Sequence, residues 1–287
     1  MAWGDIPDAA LTRLASERVR MFHAIWHFVR REDSWNNLES TQKDELVRQG
    51  WTPPRFEDQP GAGIDFLYMH RRMIQMVNLW AAGQDHHHHH GGAPQTDVFV
   101  RPWVNIPWDH TDPIWPMPVV DMQSNPSFPR IFGTSKEQAT TDFYRRRVSE
   151  VFENREWLRT QSLDQLGTQL EFGIHGWMHM HWSPAPPANP NSLDESNDWL
   201  GSPFSSHVNR HFWKLHGWID ERIYGWEDAH GEEADLSEGW DGPPDSLTGE
   251  PHSADPELFG VLRFEERPAL LMPWRDLLLE SERSKNS

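Results

Sequence analysis

Leu170-Glu171-Phe172-Gly173-Ile174-His175-Gly176-Trp177-Met178-His179 sets two histidines four residues apart inside an apolar, aromatic run. On a helix that spacing puts both imidazoles on one face, one turn and about 6 Å apart, within reach of a single metal ion. A second run of the same character, Phe212-Trp213-Lys214-Leu215-His216-Gly217-Trp218-Ile219-Asp220, supplies a third histidine. Three neutral imidazoles with one coordination position left open are a common way to present copper, zinc or iron to a small molecule. Because the runs follow helical spacing, the expected fold is mainly α, with long irregular loops and little β.

Composition narrows the chemistry. The chain has no cysteine, so disulfides, thiolate metal sites and cysteine nucleophiles are excluded and any metal must use histidine or carboxylate. Seventeen tryptophans and seventeen histidines, both far above ordinary usage, point to an aromatic-walled core containing imidazole ligands. A formal net charge of -18 argues against nucleic acid or an anionic membrane surface as a partner, since both select for clustered Lys and Arg. No apolar run reaches the length of a membrane span, and the first residues lack the layout of a secretory signal, so the expected location is cytoplasmic. At 287 residues the chain can form one large domain, and a single domain over 1–287 is expected.

Taken in order, residues Ala9 to Arg31 read as a first helix with His23 and His27 on one face. The Pro- and Gly-rich stretch from Trp51 to Gly63 reads as a loop, and a second helix begins near Phe66 with His70 on its apolar side. The internal run His86 to His90 reads as a low-complexity, adventitious metal binder. Val98-Phe99-Val100 suggests a short strand, and Trp103 to Pro113 a packed aromatic loop. Helices are expected over Lys136 to Val151, capped by Thr134 or Ser135, and over Glu156 to Leu170. After the Pro-rich loop Ser183 to Pro190 the chain re-enters helix near Ser206, where His207 and His211 read as cap or rim residues. Residues 228–257 form an acidic, Gly/Pro-rich loop. The closing segment 258–287 reads as a strand over Leu258 to Phe264 and a short helix over Ala269 to Leu279.

Four of these stretches together resemble the tyrosinase, catechol oxidase and hemocyanin family of type 3 dicopper proteins. Leu170-Glu171 with His175 and His179 is similar to the family's LE-x-x-x-H-x-x-x-H, and Phe212-Trp213 with His216 and Asp220 to its F-W-x-x-H-x-x-x-D. Phe66-Leu67-Tyr68-Met69-His70-Arg71-Arg72 resembles the family's F-L-x-W-H-R-R, and Ile106-Pro107-Trp108-Asp109 its P-Y-W-D-W loop. The four occur in the family's order, which is harder to reach by chance than any single motif. The resemblance implies an antiparallel four-helix bundle and two copper ions, each held by three histidines, that jointly activate dioxygen. The second copper would take His175, His179 and His216. The expected substrate is a small phenolic, of catechol or o-aminophenol type.

The first copper site departs from the family pattern. Gly61 stands where tyrosinases place a loop histidine, so either His23 and His27 join His70, as in the arthropod hemocyanins, or the site is incomplete. Gly176 stands where many monophenol hydroxylases carry Asn, which makes that activity doubtful. Asp109 and Asp220 are candidates to support ligand rings or tie helices together, Trp177 and Trp218 to wall the substrate beside Gly176 or simply to pack the core, and Glu171 to accept a proton or to form a structural ion pair. Two other readings stand beside the dicopper oxidase. One is a non-catalytic dioxygen- or copper-binding protein, including a relic with only the second copper. The other is a mononuclear or different-metal oxygenase on the same scaffold.

Overall fold

Helical periodicity in the sequence is realised throughout the computed structural model, which describes residues 6–81, 102–119 and 130–244. The protein is mainly helical, and no strand occurs among the described residues. The expected strands at Val98 to Val100 and Leu258 to Phe264, the run His86 to His90, the helix over Ala269 to Leu279 and residues 245–257 of the acidic loop lie outside them.

The expected first helix is two. Helix α1 spans Asp8–Leu14 and α2 spans Glu17–Val29, with Ser16 in extended conformation between them. The Ser16 hydroxyl donates to the Arg13 carbonyl at 2.6 Å, closing α1, and Arg20 Nε donates to the Ala15 carbonyl at 2.8 Å, holding the corner. The buried Arg20 guanidinium also reaches the carbonyls of Asn197 and Asp194, so the corner is tied to a distant loop. Two short helices come after it, α3 (Glu32–Asn36) and α4 (Ser40–Arg48).

Helix α5 spans Ala62–Ala81 and starts four residues before the expected Phe66. Its first turn is held from outside. Gly61 and Gly63 donate their N–H groups to the two carboxylate oxygens of Asp164, at 2.8 and 2.9 Å. That is an N-terminal cap supplied by another helix, and the negative charge suits the positive end of α5. Gly63 and Gly167 lie where α5 crosses α9 (Leu163–Leu170), and a Cβ on either would strike the other helix's backbone. Both helices therefore pack backbone to backbone.

Helices α6 (Arg130–Ser135) and α7 (Gln138–Arg147) come next, and Glu137, not Thr134 or Ser135, stands at the start of α7. The expected helix from Glu156 to Leu170 is interrupted: α8 covers Arg155–Leu158, and α9 begins only after Ser162, whose hydroxyl accepts the Gln165 N–H while Gln165 caps in return. The chain then passes through one widened, π-helical turn, Glu171–His175, into α10 (Gly176–His181). Such turns absorb an extra residue inside a helix and rotate the next turn about the helix axis. The last described helix, α11 (Arg210–His230), is capped by Asn209 and closed by Gly231 at φ 73°. Asp228 to His230 thus belong to a helix, not to the acidic loop.

The core is aromatic, as composition suggests. Trp26, Trp177, Trp182, Trp213 and Trp218 are among its largest fully buried side chains.

Candidate metal centre

Six histidines arrive at one place from four parts of the chain. His23 and His27 come from α2, His70 from α5, His175 and His179 from the π-turn and α10, and His216 from α11. None is more than 9 % exposed. The glycine crossing of α5 and α9 brings His70 to within 5.5 Å of His175, ring centre to ring centre. His70 also stacks on His216 at 4.4 Å.

Two sets of three meet a ligand geometry. In His23, His27 and His70, and again in His70, His175 and His216, one ring nitrogen apiece lies within 4.8 Å of the others. His70 belongs to both sets. His179 lies against the second, its ring 4.5 Å from His175 and 5.3 Å from His216. The expected trio of His175, His179 and His216 is contiguous by ring distance, but in the set that meets the ligand geometry His70 stands in place of His179.

Backbone carbonyls fix which nitrogen each ring can offer. The Nδ1 of His70 donates to Phe66 O, that of His216 to Phe212 O and that of His179 to Leu200 O, each at 2.8 Å. A neutral imidazole with its proton on Nδ1 has its lone pair on Nε2. The Nε2 atoms of His23, His70 and His179 are buried with no hydrogen-bond partner, an expensive arrangement that a metal ion would relieve. His175 Nε2 and His216 Nε2 lie 3.1 Å apart. Two ligands at about 2.0–2.1 Å from one ion span such a gap at an angle of roughly 100°. The residues present therefore fit a metal ion.

Burial keeps these rings uncharged. It lowers the pKa of His70 to about 3 and that of His179 to about 4, and holds His23, His27, His175 and His216 well below the ordinary value, with neighbouring imidazoles adding to the effect in those four. Neutral imidazole is the form that binds metal.

Gly61, where the resemblance would place a loop histidine, is constrained on both backbone and side-chain grounds. It stands at φ +92°, and a Cβ there would collide with the Arg55 guanidinium, while its N–H is committed to Asp164. A side chain there would hold a strained backbone and displace the Arg55 guanidinium, which pairs with Asp65 at 3.0 Å. His23 and His27 instead approach His70 from α2, with ring centres 6.1 and 5.7 Å away.

The other expected site residues sort less evenly. Asp220 ties helices: its carboxylate accepts Arg71 Nε at 2.7 Å, joining α11 to α5 beside His70. Asp109 instead lies in an exposed turn and accepts from the backbone and hydroxyl of Thr111. Its place as support for a ligand ring is taken by the backbone carbonyls. Glu171 forms a buried two-point ion pair with Arg30, at 2.7 and 3.1 Å, which is the structural alternative for this residue. Trp177 faces away from the six candidate ligands and lies 4.6 Å from the ring of His181. It donates to Ser135 O at 3.0 Å and stacks on Tyr144 at 4.4 Å, because two residues along a helix turns a side chain by about 200°. Trp218 packs likewise against Phe152 and under Arg222. Both are core residues. Gly176 opens α10 and is half-buried.

The walls around the histidines are other residues. Phe212 stacks on His216 at 3.8 Å, Phe66 lies 4.5 Å from His70 and Trp26 lies 4.9 Å from His27. All three precede a ligand by one or four positions on the same helix, which is the signal that finds them. His207 is the larger surprise. It is not a rim residue but wholly buried, 3.1 Å from His23. His211 is buried as well, between Trp115 and Trp182.

Comparison with models of known protein families and with curated proteins found no match.

Proposed function

We propose that this chain is a dicopper oxidase of the type 3 kind, in which six histidines hold two copper ions that activate dioxygen to oxidise a small phenolic of catechol or o-aminophenol type. The reading rests above all on one observation: six buried, neutral imidazoles converge from four helical elements, and three of them present buried Nε2 atoms without a partner. The helices that carry them would then be the family's four-helix bundle. His23, His27 and His70 would hold one ion, and His175, His179 and His216 the other.

When bound, the metal pair would supply the electrons that reduce dioxygen and accept those taken from the substrate. The chain's own residues prepare this in three ways. The carbonyls of Phe66, Phe212 and Leu200 lock the rings with Nε2 inward, so little reorganisation accompanies binding. Phe66, Phe212 and Trp26 exclude water around the ligands, which strengthens charge interactions within. Both Glu171 oxygens are engaged by Arg30, which assigns this carboxylate to fastening the π-turn against α2 rather than to moving substrate protons.

Copper analysis and a turnover assay test the reading. Two coppers per chain, an oxygen-dependent near-ultraviolet band and oxidation of catechol or o-aminophenol are expected. One copper per chain, unchanged by His23→Ala or His27→Ala, sinks the first site. One specific observation favours a second reading, a dioxygen-binding protein without turnover: the six rings are all buried, which suits a two-atom ligand better than an aromatic ring. The band without product would select it.

A further inference from the structure

His207 touches none of the other five candidate ligands as it touches His23, yet it is fully buried and both its ring nitrogens are engaged. It stands in the single 3₁₀ turn Ser206–Val208 that leads into α11. Its Nε2 lies 2.9 Å from the Leu14 carbonyl, and its Nδ1 lies 3.1 Å from the Nδ1 of His23. His23 Nε2, on the far side of that ring, is buried without a partner.

Proton counting then leaves one arrangement. A carbonyl only accepts, so His207 must carry its hydrogen on Nε2 to satisfy Leu14 O. A neutral ring has one N–H, so His207 Nδ1 is a lone pair. The facing His23 Nδ1 must therefore donate, which leaves His23 Nε2 as a lone pair directed at the histidine cluster. The reverse choice sets the His207 Nε2 lone pair against Leu14 O and points an N–H of His23 into the site. His70, His179 and His216 are locked by a carbonyl directly, whereas His23 is locked through a second imidazole.

We propose that His207 is a positioning residue that holds His23 in its Nδ1–H tautomer through a Leu14 carbonyl–His207–His23 relay, so that His23 Nε2 is available as a metal ligand. The metal half of this statement rests on the function proposed above, and the tautomer half does not.

Two measurements test it on the full chain. In metal-free protein carrying ¹⁵N-labelled histidine, two-bond ¹H–¹⁵N correlations should show His23 protonated on Nδ1 and His207 on Nε2. His207→Leu should move His23 towards the Nε2–H form, and His207→Asn, whose amide oxygen can replace the Nδ1 acceptor, should restore it. Titration with cobalt(II) should then show affinity at one ion lowered about 10–100-fold in His207→Leu, less in His207→Asn, with the other ion unaffected as a control for folding. His23 found on Nε2–H in the native protein overturns the relay, as does an unchanged tautomer in His207→Leu. Complete loss of one ion in both variants makes His207 a ligand instead and also overturns it. If native protein binds no metal but the tautomers are as stated, the relay stands and the dicopper function falls.

Discussion

His70 is the residue on which the two halves of the centre depend, since it alone belongs to both three-histidine sets. We expect His70→Ala to weaken both metal ions, whereas His179→Ala, remote from His23 and His27 in the sequence and held by Leu200 O, should weaken one. Metal titration of the two variants side by side decides this. Gly61 invites the opposite experiment. Gly61→His, at the position where the resemblance to tyrosinases would place a loop histidine, should not add a ligand, because a side chain at φ +92° meets the Arg55 guanidinium. A loss of about 1–3 kcal/mol in urea unfolding, with metal stoichiometry unchanged, is expected. Residues at this scale were unevenly legible. The histidines that the structure brings together were readable because HxxxH and the flanking Leu-Glu and Phe-Trp pairs are local patterns. Asp109 and Trp177 misled because their sequence neighbours are site residues while their side chains leave in another direction. His207 gave no local signal, since its partner lies at His23, across nearly the whole described chain.

At the level of helices, the α5–α9 crossing and the Arg30–Glu171 pair set the spacing of the centre. Gly167→Ala forces a Cβ into the backbone at Gly63, and neither helix can yield by turning a side chain. A destabilisation of about 1–3 kcal/mol is expected, with weaker metal binding because His70 and His175 separate. The buried ion pair makes a different prediction. Arg30→Met should cost about 3–5 kcal/mol by leaving Glu171 charged and alone, while the double change Arg30→Met with Glu171→Leu should recover most of it. A thermal or urea unfolding series on the four proteins measures both. Helical content was legible from periodicity, but helix ends were not. Ser16 splits the first helix and Asp164 starts α5 from a hundred residues away, and neither effect appears in a local window.

At the scale of the molecule, nine buried histidines among the described residues share one electrostatic condition. His23, His27, His70, His175, His179, His181, His207, His211 and His216 all have pKa values lowered first by burial, several to about 3 or 4. The unfolded chain, titrating near 6.5, therefore binds protons that the folded chain refuses. Stability is fully present above about pH 6.5 and is lost as pH falls towards the folded values, by up to roughly 1.4 kcal/mol per pH unit for each ring. Glu57, raised to about 7 by burial, and Asp65, raised to about 6, act in the opposite sense over part of this window, as do Glu171, Asp198, Asp220 and Asp241, which burial also raises, but these six are fewer than the nine rings. Urea midpoints measured from pH 8 to pH 5 should fall steeply below 6.5, and a flat profile would contradict the burial of these rings. The backbone-to-backbone crossing at Gly63 and Gly167 also bears on how the protein is made. The two glycines are about a hundred positions apart, so the chain must close a long loop before it gains this contact, and such topologies fold slowly. The clustered histidines span an even wider arc, from His23 to His216. A transition metal present during refolding would meet loose histidines first and clamp the wrong ones together. Metal supplied after the polypeptide has closed is expected to give the higher yield of native protein.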